Sequence, residues 1–191
     1  MQAKSDVRLC IRERLSHLSQ QSRSMESRVI CRELRRLIAD SSQTIAGYLP
    51  LSDEPDITPY LMEILAARRR VCLPAISQNA LMFRTVTDVN QHTKSGLTQL
   101  REPLTTLPAT LPSEIAYVIV PGRAFTRRGE RMGRGNGGYD RWICTQRSVH
   151  PTTRYIGVCF ECQLLNDIPL ESHDQPVDIV VTAGGVFHTT R

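Results

Sequence analysis

At 191 residues, 40% hydrophobic and 23% charged, the chain has the composition of one folded domain able to bury most of its unfolded surface. No apolar run approaches the ~20 residues of a membrane span, and the opening MQAKSDVRLC lacks a secretory apolar core, so a cytoplasmic protein without a membrane partner is expected. The net charge of +5 rests on arginine, since Lys4 and Lys94 are the only lysines, and residues 121–141 hold six arginines against Glu130 and Asp140. A general nucleic-acid binder spreads its basic surface more widely; charge this local suits a small polyanion.

Residues 3–20 carry Val7, Cys10, Ile11, Leu15 and Leu18 at helical spacing, with Lys4, Arg8 and Arg12 repeating on one face, a pattern that by itself reads as a solvated stripe. A second helix is predicted over 22–39 with Met25, Val29, Leu34, Leu37 and Ile38 inside. Thr44–Leu49 reads as a buried strand, Thr58-Pro59 as the capped start of a helix to Arg70, and Val71–Leu73 as a strand stopped by Pro74. That order predicts a parallel βαβ unit, whose ligands gather beyond the strand ends, where Glu54 lies either as a solvated loop carboxylate or as a ligand contact. Residues 81–86 read as a strand and 88–112 as connecting loop; Lys94-Ser95 imitates the tail of a P-loop without its glycines. Ile115–Val120 is predicted as the central strand, Tyr139–Gln146 as a helix, Tyr155–Phe160 as a strand and Val177–Val181 as the last one. The whole is a single α/β domain over 1–191, three layers deep, with a largely parallel sheet flanked by helices.

Six cysteines invite a zinc or disulfide reading, but Cys159-x-x-Cys162 has no second pair to complete a metal set. Cys10, Cys31, Cys72 and Cys159 sit within apolar patterns and are expected to be buried small hydrophobes.

The stretch Pro121–Arg141, PGRAFTRRGERMGRGNGGYDR, carries the chemistry. Gly133, Gly135, Gly137 and Gly138 let a backbone turn its N–H groups onto a ligand, and arginine grips phosphate oxygens in a fork. Followed by a helix, such a loop is a phosphate cradle. Gly133, Gly135 and Gly138 also satisfy GxGxxG, but a dozen mostly polar residues separate them from the strand that a dinucleotide fingerprint must follow directly.

The stretch resembles the signature of the 5-formyltetrahydrofolate cyclo-ligase family, P-G-x-A-F-D-x-x-G-x-R-L-G-x-G-x-G-Y-Y-D-R. The likeness extends to Lys4 and Arg8, to YLPLSDEPDITP, to Arg101-Glu102-Pro103, and to Phe160-Glu161, His173-Asp174, Asp178 and Thr182. Two positions depart: Thr126 stands for the family's Asp, and Gly138 for its aromatic residue.

The resemblance implies MgATP-dependent cyclisation of 5-formyltetrahydrofolate to 5,10-methenyltetrahydrofolate by a monomer. By it, Lys4, Arg8, Arg131, Met132, Gly133, Arg134, Gly135, Asn136, Gly137, Gly138 and Tyr139 would bind ATP. Leu49, Glu54 and the run Arg134 to Gly138 would meet the folate, Arg134 would be catalytic, and Asp140 with Asp178 would hold magnesium. The departures keep open a homologue of the same fold that binds nucleotide or folate without turnover. An RNA-binding module, resting on the arginine cluster alone, lacks the aromatic stacking platform.

Overall fold

Helical periodicity sets the first two elements. In the computed structural model, which describes residues 3–39, 43–77, 80–95 and 101–189, α1 runs Lys4–His17 and α2 Gln20–Leu37. Ser19 separates them and caps α2, its hydroxyl oxygen accepting the Ser22 N–H at 3.1 Å. The buried stripe of α1 is Val7, Ile11 and Leu15, as its spacing predicts, with Cys10 only half-buried. In α2 the buried stripe is Ser27, Ile30, Cys31 and Leu34, so the expected inner face holds at Leu34, Leu37 and Ile38 and is out of phase before them, where Met25 is 56% exposed.

Next, β1 (Thr44–Ala46), α3 (Thr58–Ala66) and β2 (Val71–Ser77) form the expected parallel unit, with Ile45 opposite Val71. The helix begins one residue earlier than predicted, with Ile57 and not Thr58 at the cap, and Asp56 Oδ1 accepts the Thr58 N–H at 2.9 Å. Pro74 does not stop β2, which continues to Ser77 against β3 (Ala80–Val86). Cys72 turns its carbonyl toward β1, accepting the Gly47 N–H at 3.0 Å. By the two-residue alternation Pro74 faces the same side, past the point where β1 has left, so no ladder bond needs its missing N–H.

Where a loop was expected, β4 (Thr93–Ser95) and β5 (Arg101–Pro103) pair as an antiparallel ribbon, while 96–100 of that predicted loop lie outside the described residues. Then come β6 (Ile115–Pro121), the hairpin β7 (Ala124–Thr126) with β8 (Arg131–Met132), and α4 (Gly138–Val149). The chain closes with β9 (Arg154–Val158), β10 (Leu164–Leu165), β11 (Ile179–Val181) and β12 (Val186–His188), so β11 is not the last strand as predicted.

The main sheet has the order β12-β11-β9-β6-β1-β2-β3, with five parallel strands between antiparallel edges and β6 at the centre, as its apolar run implied. Period-two alternation explains its two cores. Ile45, Leu73, Ile119, Ile156 and Val181 face α2 and α3 with Ile30, Leu34, Leu61 and Ile64. Their neighbours Ala46, Cys72, Val118, Val120, Tyr155 and Val180 face the other way, against Ile143 of α4. The result is a three-layer α/β domain. A third cluster packs Val7, Ile11 and Leu15 of α1 on Ala124 and Met132 of the small sheet β10-β7-β8. All five parallel strands end at one edge, where the loop after β1, Pro121-Gly122 and residues 133–140 meet.

Candidate functional site

Two hollows lie at that edge, and the glycine-arginine loop forms the wall between them. The first is an apolar crevice lined by Tyr48, Leu49, Leu51, Pro74, Leu81 and Tyr139, with charged groups of both signs, Glu54, Arg131 and Arg134 among them. The second is a charged groove in which Lys4, Arg8 and Arg141 stand with Asp140, Glu171 and Asp174, beside Gly135. Gly133, Asn136, Gly137 and Asp140 border both.

The wall's shape depends on glycine at two places. Gly135 has φ +110° and Gly137, which caps α4, φ +64°, conformations that a Cβ penalises. The Asn136 side chain accepts the Gly138 N–H at 3.2 Å, and the Gly137 carbonyl accepts the Arg141 N–H at 3.1 Å, which turns the loop into the helix. The first N–H of α4, that of Gly138, is thus taken by Asn136, and residues 137–140, which open the helix, line the hollows as a cradle requires.

Charge at the crevice is arranged in linked pairs. Arg134 donates from Nε (3.0 Å) and Nη2 (2.7 Å) to Glu54 Oε1 and from Nη2 to Asp53 Oδ1 at 2.5 Å. Arg123 donates to the other oxygen of Asp53. Glu54 is buried and is fixed further by the Leu51 N–H on its Oε2 at 3.1 Å. Burial acts to raise the Asp53 pKa, but the Arg134 and Arg123 guanidiniums outweigh it and hold the carboxyl below the usual carboxylate range. Behind the loop, buried Arg131 donates to Asp140 Oδ1 at 2.6 Å, and the Gln175 N–H reaches the same oxygen at 3.1 Å. In the groove, Lys4 pairs with Asp174 at 2.6 Å and Glu171 at 3.2 Å, and Arg8 Nε donates to the Gly133 carbonyl at 3.1 Å.

The residues expected at the site divide between the hollows. Lys4, Arg8 and Gly135 border the groove alone, so the basic stripe of α1 is turned inward over two of its three members; Arg12 stays exposed. Leu49, Glu54, Arg131, Arg134, Gly138 and Tyr139 border the crevice alone. Met132 borders neither, since its side chain is packed under α1. The Tyr139 hydroxyl is buried in the crevice wall without a hydrogen-bond partner, and burial pushes its pKa up.

Asp140 and Asp178 are not brought together. Asp140 borders both hollows, whereas Asp178 precedes β11 and accepts the Tyr155 N–H at 2.8 Å at the opening of β9, the far end of the parallel strands. With one Asp140 oxygen engaged by Arg131 and Gln175, the two carboxylates do not fit a common magnesium cage; no cluster of three His, Cys, Asp or Glu that could hold a metal occurs among the described residues. The cysteines are all free thiols, including Cys159 and Cys162.

Sequence reasoning missed Asp53 and Arg123, which stand 70 residues apart, and the apolar crevice wall of Leu51, Ile76 and Leu81. The two departures separate cleanly. Thr126 is fully buried in β7 away from both hollows, its hydroxyl donating to Glu130 Oε2 at 2.7 Å. Gly138, by contrast, borders the crevice, and a Cβ there would meet only Asn136 Oδ1 at 3.7 Å.

Comparison with known proteins bears on the family and the fold. The model of the family described as the 5-formyltetrahydrofolate cyclo-ligase family matches residues 1–183. A protein of Escherichia coli named 5-formyltetrahydrofolate cyclo-ligase is 32% identical over 154 residues, 76% of this chain and 81% of its own length. Its namesake in Saccharomyces cerevisiae is 28% identical over 98% of this chain and 99% of its own. The solved structure of Aquifex aeolicus 5,10-methenyltetrahydrofolate synthetase superposes with a TM-score of 0.84 at 27% identity, covering 97% of this chain and 92% of the other.

Proposed function

The chain belongs to the 5-formyltetrahydrofolate cyclo-ligase family and is an enzyme of it, and from that premise we propose that it converts 5-formyltetrahydrofolate and MgATP to 5,10-methenyltetrahydrofolate, ADP and phosphate. What supports this reading is one loop, 133–137, walling an apolar crevice on one side and a charged groove with Lys4, Arg8 and Arg141 on the other. A reaction that transfers a phosphoryl group from a polyphosphate to a flat ring system needs such a partition, with the reacting atoms meeting at the shared wall.

In this reading the triphosphate lies in the groove against Lys4, Arg8 and the N–H groups of 133–137, and the pterin lies on Leu49, Leu51 and Leu81 with its polar edge toward Glu54. The formyl oxygen attacks the γ-phosphorus and ADP leaves; the N10 lone pair then closes the ring on the activated carbon, N10 gives up its proton, and hydrogen phosphate departs with the former formyl oxygen. Arg134, at the wall, neutralises charge that develops on the transferring phosphoryl group, which is the main task of a phosphoryl-transfer site. To reach it, the guanidinium exchanges its Asp53 and Glu54 partners for substrate oxygens. Magnesium enters the proposal only as the counter-ion of ATP, and the cytoplasmic, monomeric state belongs to the same proposal. Among the described residues no helix is long and apolar enough to cross a membrane.

The test is near-ultraviolet absorbance of the purified protein with 5-formyltetrahydrofolate and MgATP. ATP-dependent methenyl product is expected, and Arg134→Ala is expected to lose about 10²–10³ in kcat, the scale for removing one transition-state donor. Binding of both ligands without product would instead support the homologue without turnover.

A further inference from the structure

Arg123 occupies one of the variable positions of the family signature and borders neither hollow. Its backbone is nevertheless held at both its N–H and its carbonyl. The Arg123 N–H donates to the Met132 carbonyl at 2.7 Å, and its own carbonyl accepts from Gln163 Nε2 at 3.1 Å. The same amide nitrogen also reaches the Gly122 carbonyl at 3.1 Å, and Gln163 is itself fully buried. From this fixed base the side chain, only 16% exposed, extends to Asp53. Asp53 in turn holds Arg134, and Arg134 holds Glu54.

The charge count explains why the outer member matters. Arg123 and Arg134 balance Asp53 and Glu54. Without Arg123, two carboxylates would share one guanidinium, Arg134 would be held more tightly in the resting pair, and the mouth of the crevice would carry a net negative charge against an anionic substrate.

We infer that Arg123 is a positioning residue: through Asp53 it sets both the place of the Arg134 guanidinium and how readily Arg134 leaves its carboxylates for substrate. The inference rests on the reading of Arg134 given above. Arg123 does not touch substrate; it fixes Asp53 in place and neutralises it, so that Arg134 is aligned but not trapped.

The experiment combines a mutant cycle with an NMR signature. Arg123→Leu is expected to lower kcat/KM for 5-formyltetrahydrofolate by about tenfold and the melting temperature by a few degrees, whereas Arg123→Lys keeps kcat/KM within about threefold because the charge remains. In an Asp53→Asn background, Arg123→Leu is expected to have no further effect, since the residue through which it acts is neutral. The Arg134 Nε–H resonance of the ligand-free protein is expected to shift in Arg123→Leu and to stay in place in Arg123→Lys. Equal losses from Arg123→Leu in both backgrounds, or an unmoved Arg134 resonance, would overturn the inference. A wild-type protein without turnover would sink the cyclo-ligase reading alone, because the resonance decides the Arg123 relation without any reaction.

Discussion

Thr126 and Gly138 break the same signature, yet they ask for different experiments. At Thr126 a new Asp would bring a second carboxylate to within hydrogen-bond reach of Glu130 at a fully buried position. Thr126→Asp is therefore expected to cost about 1–3 kcal/mol in denaturant unfolding, largely recovered by adding Glu130→Gln. Gly138→Tyr meets open space, so its melting temperature is expected to stay within a few degrees. Because Gly138 borders the crevice alone, the KM for folate should move while that for ATP does not. Arg134 and Glu54 were legible from the pattern in which they stand. Arg123 and Asp53 were not, since what unites them is a contact between distant loops.

The long apolar strands and the amphipathic helices were legible because periodicity needs several residues to declare itself. Strands of two or three residues, such as β7, β8 and the β4–β5 ribbon, give too short a sample, and their pairing comes from the turns and the packing around them. In α2 the apolar residues Met25 and Val29 misled the phase because Ser27 and Cys31 take inner positions, where the Ser27 hydroxyl accepts the Asp56 N–H at 3.0 Å. Pro74 misled because its rule holds for a strand paired on both sides. Packing between sheets gives the sharpest prediction at this scale. A Cβ on Gly157 in β9 would lie 2.4 Å from the Phe125 ring of β7, so Gly157→Ala is expected to cost about 1–3 kcal/mol in unfolding free energy by forcing the small sheet off the large one.

Across the molecule, the ends of the chain are tied to the site by charge. Lys4, near the start, meets Asp174, near the end, across the groove. Burial alone would raise the Asp174 pKa, but the Lys4 ammonium and the Glu171 N–H lower it, as the guanidiniums do for Asp53. A carboxyl depressed in the folded state contributes stability above its unfolded pKa, about 3.9, and loses it as pH falls through the lower folded value. The melting temperature should therefore fall on acidification below about pH 4, and less steeply in Asp174→Asn, which has already lost that contribution.

The common wall carries one more consequence. A ligand in either hollow meets the same three loop residues, Gly133, Asn136 and Gly137, two of which are glycines with much freedom to lose. Whichever substrate arrives first meets that entropic cost, and the second finds the loop already set. ATP and folate should thus bind with positive cooperativity, each strengthening the other by an equal factor, as thermodynamic reciprocity demands. The partition that keeps the two substrates apart also makes each of them report the presence of the other.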